Sequence, residues 1–361
     1  MMFNSEIIAF DACLRDEKLR AKIKKFLLGA QGATVFHTPE WLATVSKAGK
    51  KNGFYVLTSS KNELAAVTPF FEFEAPAGVD LFSGFAPFET IYGGPAIYPE
   101  FLTAGQDVLR SVKKTLAGAF KISRMFWYPA NRESEGFFLG NGFQKELIYQ
   151  TPVWDISADS EDLWQSLPAK SVRYEIRKAR KRQPEVHENE LSHLPEFYSL
   201  LKAIFEKAGN TPQSEEFYTQ IFKALLSAKS DNSPECVLFT SLIDDVLAGG
   251  VSGLRFGKTL HYFVSATSFE GRRAGLNDFL LWKLVEWGKQ NGCTHFDLLR
   301  VPIEGAASNM EGVRKFKLKY CKALEPLHLY KTKSVRGVIG SAYRRVQRPF
   351  SKAAQSVEKL V

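Results

Sequence analysis

Residues 258–300 read KTLHYFVSATSFEGRRAGLNDFLLWKLVEWGKQNGCTHFDLLR. The aromatic and β-branched run over residues 261–266 predicts a strand, followed by a loop over residues 268–275. Residues 277–290 predict a helix because apolar side chains recur there at helical spacing, with Asn277 or Asp278 as its cap. Residues 294–299 predict a second strand. The stretch is therefore expected to be a strand–helix–strand crossover.

The start of this helix carries Arg272, Arg273 and Gly275. The first backbone N–H groups of a helix have no partner within the helix, and the helix dipole is positive at that end. Such a start is suited to phosphate. The alternative is a strand–helix–strand unit with two solvated arginines.

The order Arg272-x-x-Gly275-x-Asn277 resembles the pyrophosphate-binding loop of the GNAT acyltransferase superfamily, which has a small residue in place of Asn277. Residues 247–252 (LAGGVS), the strand with Tyr262, residues 287–292, Phe296-Asp297 and residues 314–317 (RKFK) occur in the order of the FemAB-like branch of GNAT proteins. Its best-known members add amino acids to peptidoglycan precursors. The resemblance extends from about residue 35 to residue 330. It implies a mixed α/β (α+β) fold of tandem GNAT-like halves, each a mostly antiparallel sheet flanked by helices.

The net charge of +9 is unevenly distributed along the 361 residues. Residues 1–150, the expected N-terminal half, carry a net +2, and residues 151–330, the expected C-terminal domain with the donor site, carry none. Residues 331–361 hold 8 basic side chains and 1 acidic, and their apolar residues recur at helical spacing. The nearly neutral body argues against DNA as a partner. The tail is expected to be either a basic amphipathic segment for an anionic membrane surface or a disordered tail without a role.

Several function classes lack their usual sequence signals. The histidines have no metal-ligand spacing, and no Gly-x-Ser-x-Gly, Walker or Gly-x-Gly-x-x-Gly motif occurs. The four cysteines are widely spaced and are expected to be reduced thiols. The N-terminal sequence lacks the features of a signal peptide, and no apolar run is long enough to span a membrane. The expected location is the cytoplasm. If the tail binds a membrane, the expected location is the inner face of the cytoplasmic membrane.

Three segments are candidates for binding the acceptor. Residues 34–41 (TVFHTPEW) predict a strand entering a helix, with His37 and Trp41 either as a buried hinge or as one wall of an acceptor pocket. Tyr92 lies in a glycine- and aromatic-rich loop that either caps a core edge or, as the resemblance implies, lies beside the substrate cleft. Arg173 and Arg177 lie on one face of a basic helix over residues 170–182, which is either a solvated surface or, as the resemblance implies, part of a groove for anionic substrate.

The resemblance also implies the catalytic residues. Phe316-Lys317 corresponds to a Phe-Lys pair near the family's reaction centre, where the lysine is assigned to substrate or transition-state charge. The alternative is a lysine on an alternating strand. Asp297 is a candidate for orienting the amine or accepting its proton, and otherwise forms a structural hydrogen bond at a strand end. Backbone N–H groups of the Tyr262 strand are candidate oxyanion donors.

The resulting hypothesis is an N-acyltransferase that transfers an acyl or aminoacyl group to an amine of a cell-envelope precursor, such as a peptidoglycan peptide or a sugar amine. The co-substrate is acyl-CoA or aminoacyl-tRNA, with tRNA only as the acyl donor and no tightly bound cofactor or metal. No long charged heptad insertion follows the basic helix, so the coiled-coil arm of staphylococcal-type members is missing. The alternatives are a CoA-dependent N-acetyltransferase for a polysaccharide or lipid and a non-catalytic membrane-associated scaffold.

Overall fold

The structure, a computed structural model, describes residues 1–84, 89–130, 132–226, 233–305 and 311–332. Its described residues form two compact units. The first unit contains residues 1–148, 233–234 and 326–332, and the second contains residues 149–226, 235–305 and 311–325. The predicted tail lies outside the described residues from residue 333 onward.

The first unit has a mixed sheet in the order β1-β2-β3-β4-β6-β13, with β5 paired to β3. Its strands are β1 (Asn4–Ala9), β2 (Gly53–Ser60), β3 (Glu63–Ala75), β4 (Gly78–Ser83), β5 (Ala96–Ile97), β6 (Ile122–Trp127) and β13 (Leu324–Lys331, of which residues 326–331 belong to this unit). Its helices are α1 (Phe10–Arg15), α2 (Glu17–Gly29), α3 (Pro39–Gly49), α4 (Gly105–Ala119) and α5 (Glu135–Gly140). An aromatic core lies beneath the sheet, in which Trp127 contacts Phe70, Phe138 and Phe143 edge-to-face.

The second unit has a sheet in the order β8-β9-β10-β11-β12-β7. Its strands are β7 (Gln144–Asp155, of which residues 149–155 belong to this unit), β8 (Glu185–Glu188), β9 (Glu235–Ile243), β10 (Val246–Phe256), β11 (Thr259–Thr267) and β12 (His295–Asp297). Its helices are α6 (Ser160–Ser166), α7 (Tyr174–Lys181, preceded by a π-helical turn at Ala169–Arg173), α8 (Leu194–Lys207), α9 (Glu215–Leu225), α10 (Phe269–Ala274), α11 (Leu276–Gln290) and α12 (Glu311–Lys317).

The two sheets share one pattern of strand pairing. In each, three successive antiparallel pairings are followed by a parallel pairing and then another antiparallel one. The parallel neighbours are β4 and β6 in the first unit and β11 and β12 in the second. The predicted mixed α/β fold, with two mostly antiparallel sheets flanked by helices, is confirmed.

The predicted crossover is present, because α11 joins the parallel strands β11 and β12. Leu281, Leu284 and Val285 are buried on its inner face, as their spacing predicts. The prediction of a loop over residues 268–275 is wrong. It forms the short helix α10, because the Ser268 side chain accepts a hydrogen bond from the Gly271 amide and caps a turn there.

Gly275 separates α10 from α11. Its φ of 85° is a left-handed conformation, so it ends α10 and directly precedes Leu276. The prediction that Asn277 or Asp278 caps the helix is therefore wrong. The Asn277 side chain instead accepts from the Thr267 hydroxyl, and Asp278 is buried in the first turn of the helix.

The strand predicted within residues 34–41 is also wrong. Val35–His37 is a 3-10 turn, in which the Thr34 side chain accepts from the Phe36 amide. This capping interaction outweighs the strand preference of the β-branched residues. Helix α3, which the sequence predicts after this segment, begins at Pro39, and the Thr38 side chain before it makes no capping hydrogen bond.

His37 has no exposed surface, and both of its ring nitrogens have backbone partners. Its Nδ1 accepts from the Thr34 amide at 3.2 Å, so Nε2 is the protonated nitrogen and donates to the Gly94 carbonyl at 3.3 Å. Burial lowers the pKa of His37 to about 4, although the backbone hydrogen bonds oppose that effect. The neutral ring is therefore part of the core.

This burial predicts a loss of stability in acid. The unfolded chain binds a proton at His37 below a pKa of roughly 6.5, whereas the folded chain resists it down to about 4. The stability that His37 contributes is thus complete above pH 6.5 and is lost as the pH falls through this window, by about 3 kcal/mol. Urea unfolding of His37→Gln at several pH values should show a shallower slope between these pH values than the parent. An unchanged slope would contradict the buried neutral state.

Within the described residues, no helix is long and apolar enough to cross a membrane. All four cysteines are free and buried.

Candidate acyl-transfer site

Lys317 is a buried lysine at the end of α12, with a side chain that is 6% exposed. Its Nζ donates to the carbonyl of Arg300 at 3.2 Å and to that of Leu299 at 3.4 Å. The same Nζ lies 5.3 Å from the centre of the Tyr262 ring. Burial lowers the pKa of Lys317 to about 7; Asp297 opposes this shift and Arg300 adds to it. A lysine that changes charge near neutral pH is a candidate for catalysis. The alternative of a lysine on an alternating strand is wrong, because residues 311–317 are helical.

The backbone that faces Lys317 has an unusual conformation. Leu299 has a φ of 57°, a left-handed conformation that a leucine rarely adopts. Asp297, at the end of β12, fixes this turn, because its Oδ1 accepts from the Leu299 amide at 2.7 Å and from the Thr151 hydroxyl at 2.5 Å. The turn directs two carbonyl groups at the ammonium. No sequence signal indicated Leu299, because only glycine or asparagine would have suggested such a turn.

Arg314 is a second buried cation on α12, three residues before Lys317. It donates to the Pro302 carbonyl at 2.7 Å and to the Gln150 side chain at 3.1 Å. The two cations therefore bind three of the four carbonyls of residues 299–302. Arg314 was not predicted as a site residue, because a basic side chain in a basic segment normally lies on the surface.

Two of the predicted aromatic residues, Tyr262 and Phe316, lie near Lys317, the first facing its ammonium and the second preceding it on α12. Tyr262 lies on β11, and its hydroxyl is hydrogen-bonded to the Ser265 side chain. Phe316 is half-buried and packs against the Tyr320 ring, with ring centres 5.6 Å apart. The structure thus brings four predicted residues, Lys317, Phe316, Asp297 and Tyr262, into one region of the second unit.

The predicted donor loop lies on α10 and the start of α11. Arg272 and Arg273 are both exposed. Arg272 donates to the Thr267 carbonyl at 2.8 Å, and the Arg273 guanidinium lies over the Phe269 ring at 5.8 Å. The arginines are anchored beside the strand end but remain accessible to a ligand.

The basic helix has the orientation that its sequence predicts. Val172, Ile176 and Ala179 are buried against the core of the second unit. On the outer face, the Arg173 side chain donates to that of Gln165 at 2.5 Å, and Arg177 lies 5.6 Å from the Trp164 ring centre.

In the first unit, His37, Trp41 and Tyr92 are all buried. Trp41 Nε1 donates to the Thr90 hydroxyl at 3.0 Å, and Tyr92 packs edge-to-face on Phe36. His37 donates to the carbonyl of Gly94, two residues after Tyr92. These side chains shape the backbone of residues 92–94.

Comparison with known proteins gives the identity of the segment that contains Lys317. Residues 169–317, from the turn before α7 to the end of α12, match the family model described as an acetyltransferase (GNAT) domain. This segment is a GNAT acetyltransferase domain. No curated protein sequence matches the chain.

Solved structures confirm the predicted FemAB-like tandem GNAT architecture at the level of the fold. FemX superposes with a TM-score of 0.70 at 14% identity, over 86% of this chain and 95% of FemX. The C-terminal domain of a putative lysylphosphatidylglycerol synthetase from Agrobacterium fabrum gives 0.54 at 13% identity, over 94% and 96% of the two chains. A tandem GNAT protein from the clavulanic acid biosynthesis pathway gives 0.54 at 8% identity, over 92% and 100%.

Within the GNAT domain, Gly275 is sterically constrained. A Cβ atom added there would lie 2.4 Å from the Glu175 carbonyl oxygen on α7, and the φ of 85° is unfavourable for any side chain. Gly275→Ala should therefore lower the free energy of unfolding by about 2 kcal/mol or more, from the left-handed strain together with displacement of α7. Chemical denaturation measures this loss. Gly292→Ala, also at positive φ but with open space around it, controls for the strain alone. Equal losses in the two variants would contradict close packing at Gly275.

Proposed function

We propose that this protein is an N-acyltransferase that transfers an acyl or aminoacyl group to an amine of a cell-envelope precursor. The observation that carries the proposal is the buried Lys317 at the end of the GNAT domain, held between two backbone carbonyls and an aromatic ring. The FemX-like fold and the fold of a putative lysylphosphatidylglycerol synthetase support an envelope component as the acceptor.

In the proposed reaction, the acceptor amine attacks the carbonyl carbon of the donor. A C–N bond forms, and the C–S bond of an acyl-CoA or the C–O bond of an aminoacyl ester breaks. The amine loses a proton, and the leaving sulfur or oxygen gains one. Lys317, as the ammonium, would stabilise the charge that develops on oxygen, together with backbone N–H groups of the Tyr262 strand. Phe316 and Asp297 would position it.

The donor would bind at α10 and the start of α11. Arg272, Arg273 and the first amides of α11 would contact its phosphates, with Gly275 and Asn277 shaping the backbone and Tyr262 beside the acyl group. Both donor candidates, acyl-CoA and aminoacyl-tRNA, present phosphates. For the acceptor, Arg173 and Arg177 of the second unit would contact an anionic group. In the first unit, the loop that His37 and Tyr92 shape, close to Trp41, stays a separate candidate for contacting an acceptor.

A donor panel tests this proposal. Purified protein would be incubated with radiolabelled acetyl-CoA or aminoacyl-tRNA and with a set of amines that includes peptidoglycan precursor peptides, amino sugars, an amine-bearing polysaccharide and an amine-bearing lipid. Phosphatidylglycerol serves as a non-amine control. Amine-dependent transfer from either donor is the expected result. Transfer from acetyl-CoA to a polysaccharide or lipid amine would support the second candidate, a CoA-dependent N-acetyltransferase, which the acetyltransferase description of the matching family favours. Failure with every pair would favour a scaffold without catalysis.

We also propose that the tail, residues 331–361, holds the protein at an anionic membrane surface. Basic residues contribute about 1 kcal/mol each near such a surface. The full chain should co-sediment with anionic vesicles in a salt-sensitive manner and not with neutral ones. A chain truncated after Thr332 should lose this binding. The truncation keeps Thr332 because its amide donates to the Met125 carbonyl and its hydroxyl accepts from the Met125 amide. Equal sedimentation of the two chains would contradict the proposal.

A further inference from the structure

A buried hydrogen bond connects the helix α11 to the turn that follows Lys317. Asp278 is the third residue of α11, and its side chain is 7% exposed. The Tyr320 hydroxyl donates to Asp278 Oδ1 at 2.5 Å, across 42 positions of sequence. The Lys319 ammonium lies 3.7 Å from the same oxygen, on the exposed side. Neither Asp278 nor Tyr320 has a part in the proposed reaction.

Tyr320 is rigidly linked to Lys317. Its amide donates to the Lys317 carbonyl at 3.1 Å, and the Lys319 amide donates to the Phe316 carbonyl at 3.2 Å, so residues 318–320 form a tight turn on the end of α12. The Tyr320 ring packs between Trp154 and Phe316, with ring centres 5.9 Å and 5.6 Å away. A change in the position of the Tyr320 ring should therefore also change the position of the helix end at which Lys317 lies.

We propose that Asp278 and Tyr320 are positioning residues, whose hydrogen bond holds the end of α12 against α11 and thereby keeps Lys317 between the carbonyls of Leu299 and Arg300. The catalytic relevance of this positioning rests on the proposed function of Lys317. Because Asp278 lies in the first turn of α11, the bond also joins Lys317 to the helix start at which donor phosphates are proposed to bind.

Because Lys317 is shielded from water, its pKa reports on its position, so the proposal can be tested without a substrate. Burial is the main cause of its lowered pKa, so a turn that loosens and admits water should raise that pKa toward its ordinary value. The charged and titratable groups around Lys317 are Asp297 on β12, Arg300 after it, Tyr262 on β11 and Arg314 on α12 itself. Two more titratable groups are farther from Lys317: His261 is near Asp297, and Tyr320 is near Tyr262. Asp278 accepts the hydrogen bond of the Tyr320 hydroxyl, and Lys319 forms an ion pair with Asp278.

The experiment follows the titration of Lys317 by NMR of protein that carries 13C-labelled lysine side chains, with Lys317→Met to assign the resonance. In the parent protein Lys317 should titrate near pH 7. In Tyr320→Phe it should titrate higher, by about one pH unit. Asp278→Asn retains an acceptor oxygen and should leave the titration near that of the parent. Asp278→Ala should raise it, and the double variant with Tyr320→Phe should add nothing further, because the two residues act through one bond.

Tyr198→Phe is the matched control. It removes another tyrosine hydroxyl of the second unit, which donates to the Gln213 carbonyl at 3.1 Å, and should leave Lys317 unchanged while lowering thermal stability slightly. An unchanged Lys317 titration in both Tyr320→Phe and Asp278→Ala would overturn the proposal, whatever their melting temperatures. A different result would contradict the proposed function. If Lys317→Met retains full turnover, Lys317 is not catalytic even where its titration follows Tyr320.

Discussion

Replacing Lys317 by Met is expected to lower kcat by roughly 10²- to 10³-fold, which is the usual cost of removing one group that stabilises a developing charge. Methionine is unbranched and apolar, so it retains most of the packing of the lysine stem while removing the ammonium. The ammonium is held by the carbonyls of Leu299 and Arg300 and by the Tyr262 ring, so it needs little reorganisation during the reaction. Its loss should therefore affect kcat more than the affinity for either substrate.

Lys315→Met is the matched control for this measurement. Lys315 lies on the same helix, its side chain is 77% exposed, and it forms an ion pair with Glu311 at 3.9 Å. The same substitution there should leave kcat within about a factor of two, because exposed pairs of this kind contribute little. Steady-state kinetics with the donor and acceptor found in the panel give both values. If kcat of Lys317→Met also stays within that factor, Lys317 is a packing residue.

The pH dependence of kcat should show which protonation state of Lys317 is active. With a pKa of about 7, the side chain is an ammonium below neutral pH and a free amine above it. A charge-stabilising role requires the ammonium, so kcat should fall as the pH rises through 7. A rise through the same pH would instead indicate a general base. In Lys317→Met the change in kcat near pH 7 should disappear.

The sequence predicted the parts of the second unit that depend on local patterns. Leu281, Leu284 and Val285 recur with the period of a helix, and one inner face requires that spacing, so α11 and its two parallel strands followed from the sequence. Residues 268–275 did not follow, because their two glycines and two arginines suggest a loop. One hydrogen bond from the Gly271 amide to the Ser268 side chain is sufficient to form a helical turn there.

The environment of Lys317 could not be predicted from the residues alone. The segment 314–319 is strongly basic, and nothing local distinguishes the buried Arg314 and Lys317 from the exposed Lys315. Their burial depends on a left-handed Leu299 and on contacts between distant residues, such as Gln150 with Arg314 and Asp278 with Tyr320. The resemblance to a family indicated Phe316-Lys317, whereas only the structure shows how the lysine is dehydrated.

Replacing both Arg272 and Arg273 by Ala is expected to weaken donor binding by at least about tenfold. A hydrogen bond to a charged group contributes about 1.5 to 3 kcal/mol, so the loss of even one phosphate contact gives that factor. Both side chains are exposed on α10, directly before the start of α11, and the Thr267 carbonyl holds Arg272 in place. The binding should also weaken as salt is added. Isothermal titration calorimetry with CoA as the probe, and with the tRNA donor if the panel identifies one, measures the change.

A control must separate these two arginines from the loss of two positive charges anywhere in the unit. Lys181 and Arg182, at the end of α7, are adjacent, exposed cations, and replacing both by Ala changes the net charge by the same amount. If the arginines contact the donor phosphates, affinity should fall in the Arg272/Arg273 variant and change by less than about threefold in the Lys181/Arg182 variant, because a general field is screened over about 8 to 10 Å at physiological salt. Equal losses would reduce the role of Arg272 and Arg273 to long-range attraction. Unchanged affinity in both variants would place the donor phosphates away from α10.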